Sequence, residues 1–199
     1  MVRRKLLKLS KNLKAIGAGK ILKYLLSDIK SARQSLFVVG PWIDSYFAEK
    51  IVSSLRKNIS VKFLVRCSEH DSQVSRIVTL SSLSIIRNCV ANFEARALSN
   101  LHAKAIIIDN KIIYAGSVNW YKYSLEHSLE LTLRMRLSYV PGLKRILDKY
   151  WKEASPIPEK EFRIAMRSKP FEIDYEILDP LARKVLEENP KAFIKRIKK

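Results

Sequence analysis

The chain has 199 residues, 47% of them hydrophobic, enough to bury one core with an extension beside it. Five glycines and seven prolines exclude a low-complexity or turn-rich all-β chain. A formal charge of +19 points to a polyanionic partner, with nucleic acid ahead of an anionic membrane surface.

The opening MVRRKLLKLSKNLK is strongly basic, and residues 1–33 carry ten Lys or Arg against a single acid, Asp28. No uninterrupted apolar region follows it, so it is not read as a signal peptide. No apolar run reaches membrane-spanning length either. Residues 1–19 are therefore expected to form a basic N-terminal segment.

From residue 20 onward helix and strand patterns alternate, which indicates an α/β protein with a mixed central sheet flanked by helices. Residues 21–33 place apolar side chains at helical spacing, and SLFVVG (35–40) reads as a short buried strand. Asp44 caps a helix whose Phe47, Ile51, Val52 and Leu55 form one stripe. VKFLV (61–65) is the next strand, followed by a helix beginning near Asp71 and covering Val74, Ile77 and Val78. Residues 81–90 fit either a helix end or a strand. FEARAL (93–98) alternates, LELTLRM (129–135) is a further strand, and a helix spans 141–154 with Pro141 in its first turn. Ser155-Pro-Ile-Pro158 reads as a boundary closing a domain over 20–154. Asp179-Pro180 and Asn189-Pro190 then mark helix starts in a basic, mostly helical extension over 155–199. Cys67 and Cys89 have neither metal-ligand spacing nor a disulfide framework, so a reducing cytosol is the expected compartment.

The stretch LHAKAIIIDNKIIYAGSVNW (101–120) reads as two apolar strands joined by a turn. A two-residue turn at Asn110-Lys111 would set His102 across from Asn119 and Lys104 across from Ser117, all on one face. A slip of one residue would split them between faces. Gly116 lets a ligand approach the backbone beside Ser117. An imidazole can act as nucleophile, acid or base near neutrality, while an ammonium, a hydroxyl and a carboxamide suit phosphoryl oxygens. Carboxylates are lacking on that face, and Asp109 falls on the other parity, so no divalent metal and no cofactor are implied. Asp109 is expected to stabilise the hairpin or an interface, and Trp120 to be core rather than a base-stacking platform.

His102-x-Lys104-x4-Asp109-x6-Gly116-Ser117-x-Asn119 resembles the HKD signature of the phospholipase D superfamily at every fixed position. The helix and strand order from about 20 to 135 is similar to that family, whereas 1–19 and 155–199 lie outside the resemblance. The family usually carries a glutamate eleven residues after the motif asparagine, and Glu130 stands there. The asparagine often found two positions earlier is Ser128 in this chain. The resemblance implies that Glu130 hydrogen-bonds His102, and that Lys104, Ser117 and Asn119 bind the phosphate.

The family's chemistry needs two histidines, one attacking phosphorus and one serving as acid and then base. This chain has one copy of the motif, and neither His70 nor His127 sits in an H-x-K context. A homodimer with one shared site resolves this, since single-motif relatives are typically dimeric nucleases or other phosphodiesterases. The expected function is a metal-independent phosphodiesterase, foremost a nuclease on DNA or RNA. The rivals are a phospholipid hydrolase or phosphatidyltransferase, with the basic N-terminus on lipid, and a nucleic-acid-binding dimer without turnover.

Overall fold

The computed structural model describes residues 13–167 apart from 18, 57, 68–70 and 72. Its elements in chain order are β1 (Leu13–Gly17), α1 (Ile21–Ser31), β2 (Ser35–Val39), α2 (Ser45–Ser54), β3 (Ser60–Val65) and α3 (Gln73–Cys89). There follow β4 (Asn92–Ala97), β5 (Ala105–Ile108), β6 (Ile112–Gly116), α4 (Lys122–Glu126) and β7 (Leu131–Arg136). A 3-10 turn at Leu137–Tyr139 leads into α5 (Pro141–Glu153), β8 (Ser155–Pro156) and α6 (Glu159–Arg167).

The strands form one mixed sheet of eight, ordered β1-β7-β6-β5-β2-β3-β4-β8. β2, β3 and β4 run parallel because α2 and α3 carry the chain back between them, and the remaining pairings are antiparallel. β5, the run AIII, is buried along its whole length, as a strand covered on both faces must be. The main core lies on the face covered by α1, α2, α3 and α6, with Ile21, Leu25, Phe47, Ile51, Phe63 and Trp120 fully buried. The opposite face is covered by α5, whose Leu147 packs over Val39, Ile107 and Ile113.

Asp44 caps α2 as its type and position require, accepting the Phe47 N–H at 2.8 Å, an interaction that contributes about 1 kcal/mol. Its other oxygen accepts the Lys122 N–H at 2.8 Å, tying α2 to the segment behind β6. Trp120 is core: it stacks on Phe47 at 5.5 Å and donates from Nε1 to the Val39 carbonyl at 2.7 Å.

Three features refine or depart from the sequence reading. Residues 81–89 are helix, one of the two alternatives, and continue α3, with the Ser82 and Ser84 hydroxyls satisfied by the Val78 and Leu80 carbonyls one turn back. β1 lies within the segment read from its charge as a basic arm, and β8 and α6 extend the fold past Ser155. α6 buries Phe162 and Ala165, and Glu161 meets Arg76 of α3 at 3.2 Å.

The third difference is the hairpin register. Ile108 pairs with Ile112 and Ala105 with Ala115, one residue away from the expected pairing. The turn begins at Asp109, not Asn110. Both are left-handed (φ 51° and 52°), and Lys111 N–H returns to the Ile108 carbonyl at 2.9 Å. The cause is tertiary: the Asp109 carboxylate accepts the backbone N–H groups of Arg33, Gln34 and Ser35 at 2.8–3.2 Å, fixing it to the α1–β2 loop.

Burial alone would raise the Asp109 pKa, but these three N–H donors outweigh it and hold the carboxyl below its ordinary value. Asp109→Ala should therefore cost roughly 2–4 kcal/mol and lower Tm by roughly 5–15 °C. A folded pKa below the unfolded one means the stabilisation is present above about pH 3.9 and lost as pH falls through the folded value. Denaturant titrations should show the gap between the two proteins narrowing once the pH drops below about 3.9.

Candidate active site

Every motif residue outside the hairpin turn comes to one end of the sheet. The parallel strands β2 and β3 finish there at Val39 and Val65, and β5 begins there, Ala105 pairing with Val39. His102 and Lys104 immediately precede β5, Gly116 ends β6 with Ser117 and Asn119 just beyond, and Glu130 immediately precedes β7. Loop residues beyond the carboxyl ends of parallel strands are a common place for ligands, because diverging connections leave a crevice there.

The one-residue register shift does not scatter the polar groups. The regular strands stop at Ala105 and Gly116, so residues 102, 104, 117 and 119 have left the strict alternation of the pleat. The ladder is closed by local bonds instead: Ser117 N–H donates to the Leu131 carbonyl at 3.0 Å, and Leu131 N–H returns to Ser117 Oγ at 3.1 Å. That closure brings Glu130 beside Ser117, whose hydroxyl donates to its carboxylate. Ser124 donates to the other carboxylate oxygen at 2.5 Å while accepting the Asn119 N–H at 2.9 Å. Asn119 donates from Nδ2 to the Tyr121 hydroxyl at 3.3 Å, and its buried Oδ1 has no hydrogen-bond partner among the described residues.

His102 is exposed, and its bonding partner is Lys104. The ammonium lies 3.1 Å from Nε2 and 3.2 Å from Nδ1, favouring an uncharged ring. The Lys104 charge foremost, then partial burial and the charge of Arg66, hold the imidazole pKa below its ordinary value. Burial foremost, with Arg66, lowers Lys104 as well, and the Glu130 carboxylate opposes that shift. A neutral imidazole carries the lone pair that a nucleophile needs.

Glu130 is engaged with Ser117 and Ser124, so within one chain its bonds do not go to His102. His127 lies 3.8 Å from Glu126 and packs on Tyr123, while His70 is outside the described residues. Among the described residues, no group of three or more His, Cys, Asp or Glu is arranged to hold a metal ion. Cys67 and Cys89 are free thiols.

Two site neighbours escape sequence reasoning. Ser124 is fully buried on a five-residue helix and orders Glu130 and Asn119, but a serine in KYSLE carries no signal of its own. Arg66 follows β3, and only the folded chain brings its charge near His102 and Lys104.

No helix among the described residues is long and apolar enough to cross a membrane. Residues 25–153, more than half of the chain, match the family model described as cardiolipin synthase, PLD-like domain. No curated protein matches. Among solved structures, Nuc, a phospholipase D family member from Salmonella typhimurium, superposes with TM-score 0.61 and 17% identity over 74% of this chain and 99% of that one. NucT from Helicobacter pylori gives TM-score 0.57 and 23% identity over 73% and 99%. Phosphatidylserine synthase of Haemophilus influenzae Rd KW20 gives TM-score 0.60 and 10% identity over 93% of this chain and 46% of the synthase. With the family model spanning the sheet from α1 to α5, the chain belongs to the phospholipase D superfamily, whose members are phosphodiesterases.

Proposed function

We propose that this protein is a metal-independent phosphodiesterase that cleaves nucleic acid, DNA or RNA, at a site shared by two copies of the chain. The observation that carries the reading is the His102–Lys104 pair at the open end of the sheet, with one such imidazole per chain. In the first step an imidazole nitrogen of one His102 attacks phosphorus and forms a P–N bond. The P–O bond to the leaving oxygen breaks with its electron pair, and that oxygen takes a proton from the other copy's His102 imidazolium. Water then attacks the phosphohistidine and loses a proton to that second imidazole, the P–N bond breaks, and the first imidazole is released. Lys104 and Asn119 would hold the non-bridging oxygens, and Ser117 joins them once its hydroxyl turns from Glu130 to the phosphate.

The second copy has a surface to meet. Leu13, Ala15 and Gly17 of β1 pair with Met135, Leu133 and Leu131 of β7, so these side chains share one face of the sheet. Leu131 and Leu133 are 58% and 38% exposed there, and Leu129, next to Glu130, is 98% exposed. An apolar patch on a chain of charge +19 suits a twofold contact, because the remaining surface repels a second copy. Leu129 and Leu131 flank Glu130 in the chain, so a contact there would lie beside the site as well as cover the leucines. The charge supplies the polyanion partner, whose affinity should fall steeply with salt.

The test offers purified protein, in excess EDTA, plasmid, single-stranded oligonucleotide, RNA and anionic liposomes in parallel. Cleavage of a nucleic acid should persist, because Lys104 and the neighbouring donors supply the positive potential. Activity abolished by chelation and restored by magnesium would contradict the reading. Turnover of lipid alone would replace the substrate.

A further inference from the structure

At the same end of the sheet a second cation acts through its charge on both His102 and Lys104. Arg66 follows β3, and its N–H is bonded to the Pro41 carbonyl at 3.0 Å, joining the loops that leave β2 and β3. The guanidinium carbon sits over the Trp42 ring, 4.4 Å from its centroid. Asp71 Oδ1 accepts from Nε at 2.7 Å and lies 2.5 Å from Nη2, leaving the outer Nη1 edge turned away from the clasp. The Asp71 side chain is 4% exposed and that of Arg66 25%, so the acid is buried and the arginine keeps part of its surface open to solvent.

A guanidinium held by a ring and a carboxylate, on a residue whose backbone is itself bonded, gives up little freedom when it binds. Lys104 already serves the scissile phosphate, and a phosphodiester carries a single negative charge. A nucleic-acid strand brings a second phosphate one nucleotide away, and a planar fork of N–H donors is the geometry that a phosphate takes. We propose that Arg66, positioned by Trp42 and Asp71, binds the phosphate adjacent to the scissile one and selects polymeric substrates over isolated diesters. The inference rests on the nuclease reading of the same site, and it adds a residue that touches substrate without taking part in bond cleavage.

Arg66→Gln and Arg66→Lys are compared with wild type in the full chain, using two probes. One is bis(p-nitrophenyl) phosphate, a diester with no second phosphate; the other is a short fluorescent single-stranded oligonucleotide. In Arg66→Gln the oligonucleotide Kd should rise about tenfold, the scale of one lost charge-assisted phosphate contact. At pH 8 the small-diester kcat/KM should stay within about twofold, since Arg66 makes no contact in the bond-breaking step. Arg66→Lys keeps the charge but loses the fork and should fall between. The acid limb of the small-diester profile should move to higher pH in Arg66→Gln only, because Lys104 and Arg66 are the cations that depress His102.

Unchanged oligonucleotide binding in Arg66→Gln would overturn the subsite. Equal losses on both probes would also overturn it, making the residue a structural clasp. Should wild type bind the strand through Arg66 yet cut no nucleic acid, the subsite stands and the nuclease reading fails. Absence of strand binding in wild type sinks both.

Discussion

Replacing His102 with alanine should remove essentially all turnover, a loss of at least about a thousandfold, while leaving the fold intact. In the proposed shared site both the nucleophile and the acid would be copies of this one side chain, so a single substitution would delete two functions. The imidazole is exposed and, among the described residues, bonded to Lys104, which is itself partly exposed, so its removal opens no cavity and orphans no fully buried group. Thermal melting should stay within about 0.5 kcal/mol of wild type, as for a surface substitution. Turnover of a small chromogenic diester and a melting curve on the same preparation check both halves. A variant that melts normally and keeps more than about a tenth of its activity would place the chemistry on other residues.

Gly116→Ala should act in the opposite way, through the fold first. Gly116 pairs with Thr132 across β6 and β7. A Cβ built on it would collide with the Leu131 carbonyl oxygen and come within 2.7 Å of Thr132 Cα, both of them backbone. No rotamer change relieves that contact, so β7 must move away from β6 or the ladder must open. The expected cost is about 3–5 kcal/mol, at the upper end for a single substitution. Because Ser117 and Leu131 close this ladder, the displaced strand would also carry Glu130 off Ser117, and activity should fall in whatever fraction remains folded. Gly17 is the control: a Cβ there meets nothing within 4 Å, and Gly17→Ala should be silent or slightly stabilising. Gly116→Ala with a wild-type denaturation midpoint would mean that β6 and β7 are not paired as described.

How much of this could be read from residues alone depends on where the determining contact lies. Helix α2 and strand β3 were legible because cap, stripe and apolar run are local, and Asp44 caps where its type says it should. The hairpin was legible as a hairpin, but its register turned on Asp109 reaching residues 33–35, a contact some 75 positions distant in sequence. Residues 81–90 stayed open between helix end and strand because the Ser82 and Ser84 hydroxyls find their carbonyl partners only once the helix exists. β1 was hidden because it buries one residue, Ile16, and is defined by pairing with the far strand β7. The spacing of His102, Lys104, Ser117 and Asn119 marks them as candidates, and the fold gathers them at one end of the sheet. The bonds of Glu130 to Ser117 and Ser124, and the clasp around Arg66, needed the folded chain.

The central claim, one site built from two copies, is tested most directly by subunit mixing. Wild-type protein and His102→Ala are mixed in equal amounts, exchange is verified, and small-diester turnover is measured per wild-type subunit. Random exchange leaves about a quarter of the dimers fully wild type, and a mixed dimer holds one imidazole where two are needed. Activity per wild-type subunit should fall to roughly half. Unchanged activity per wild-type subunit after verified exchange, or an active monomer by light scattering, would contradict the shared site.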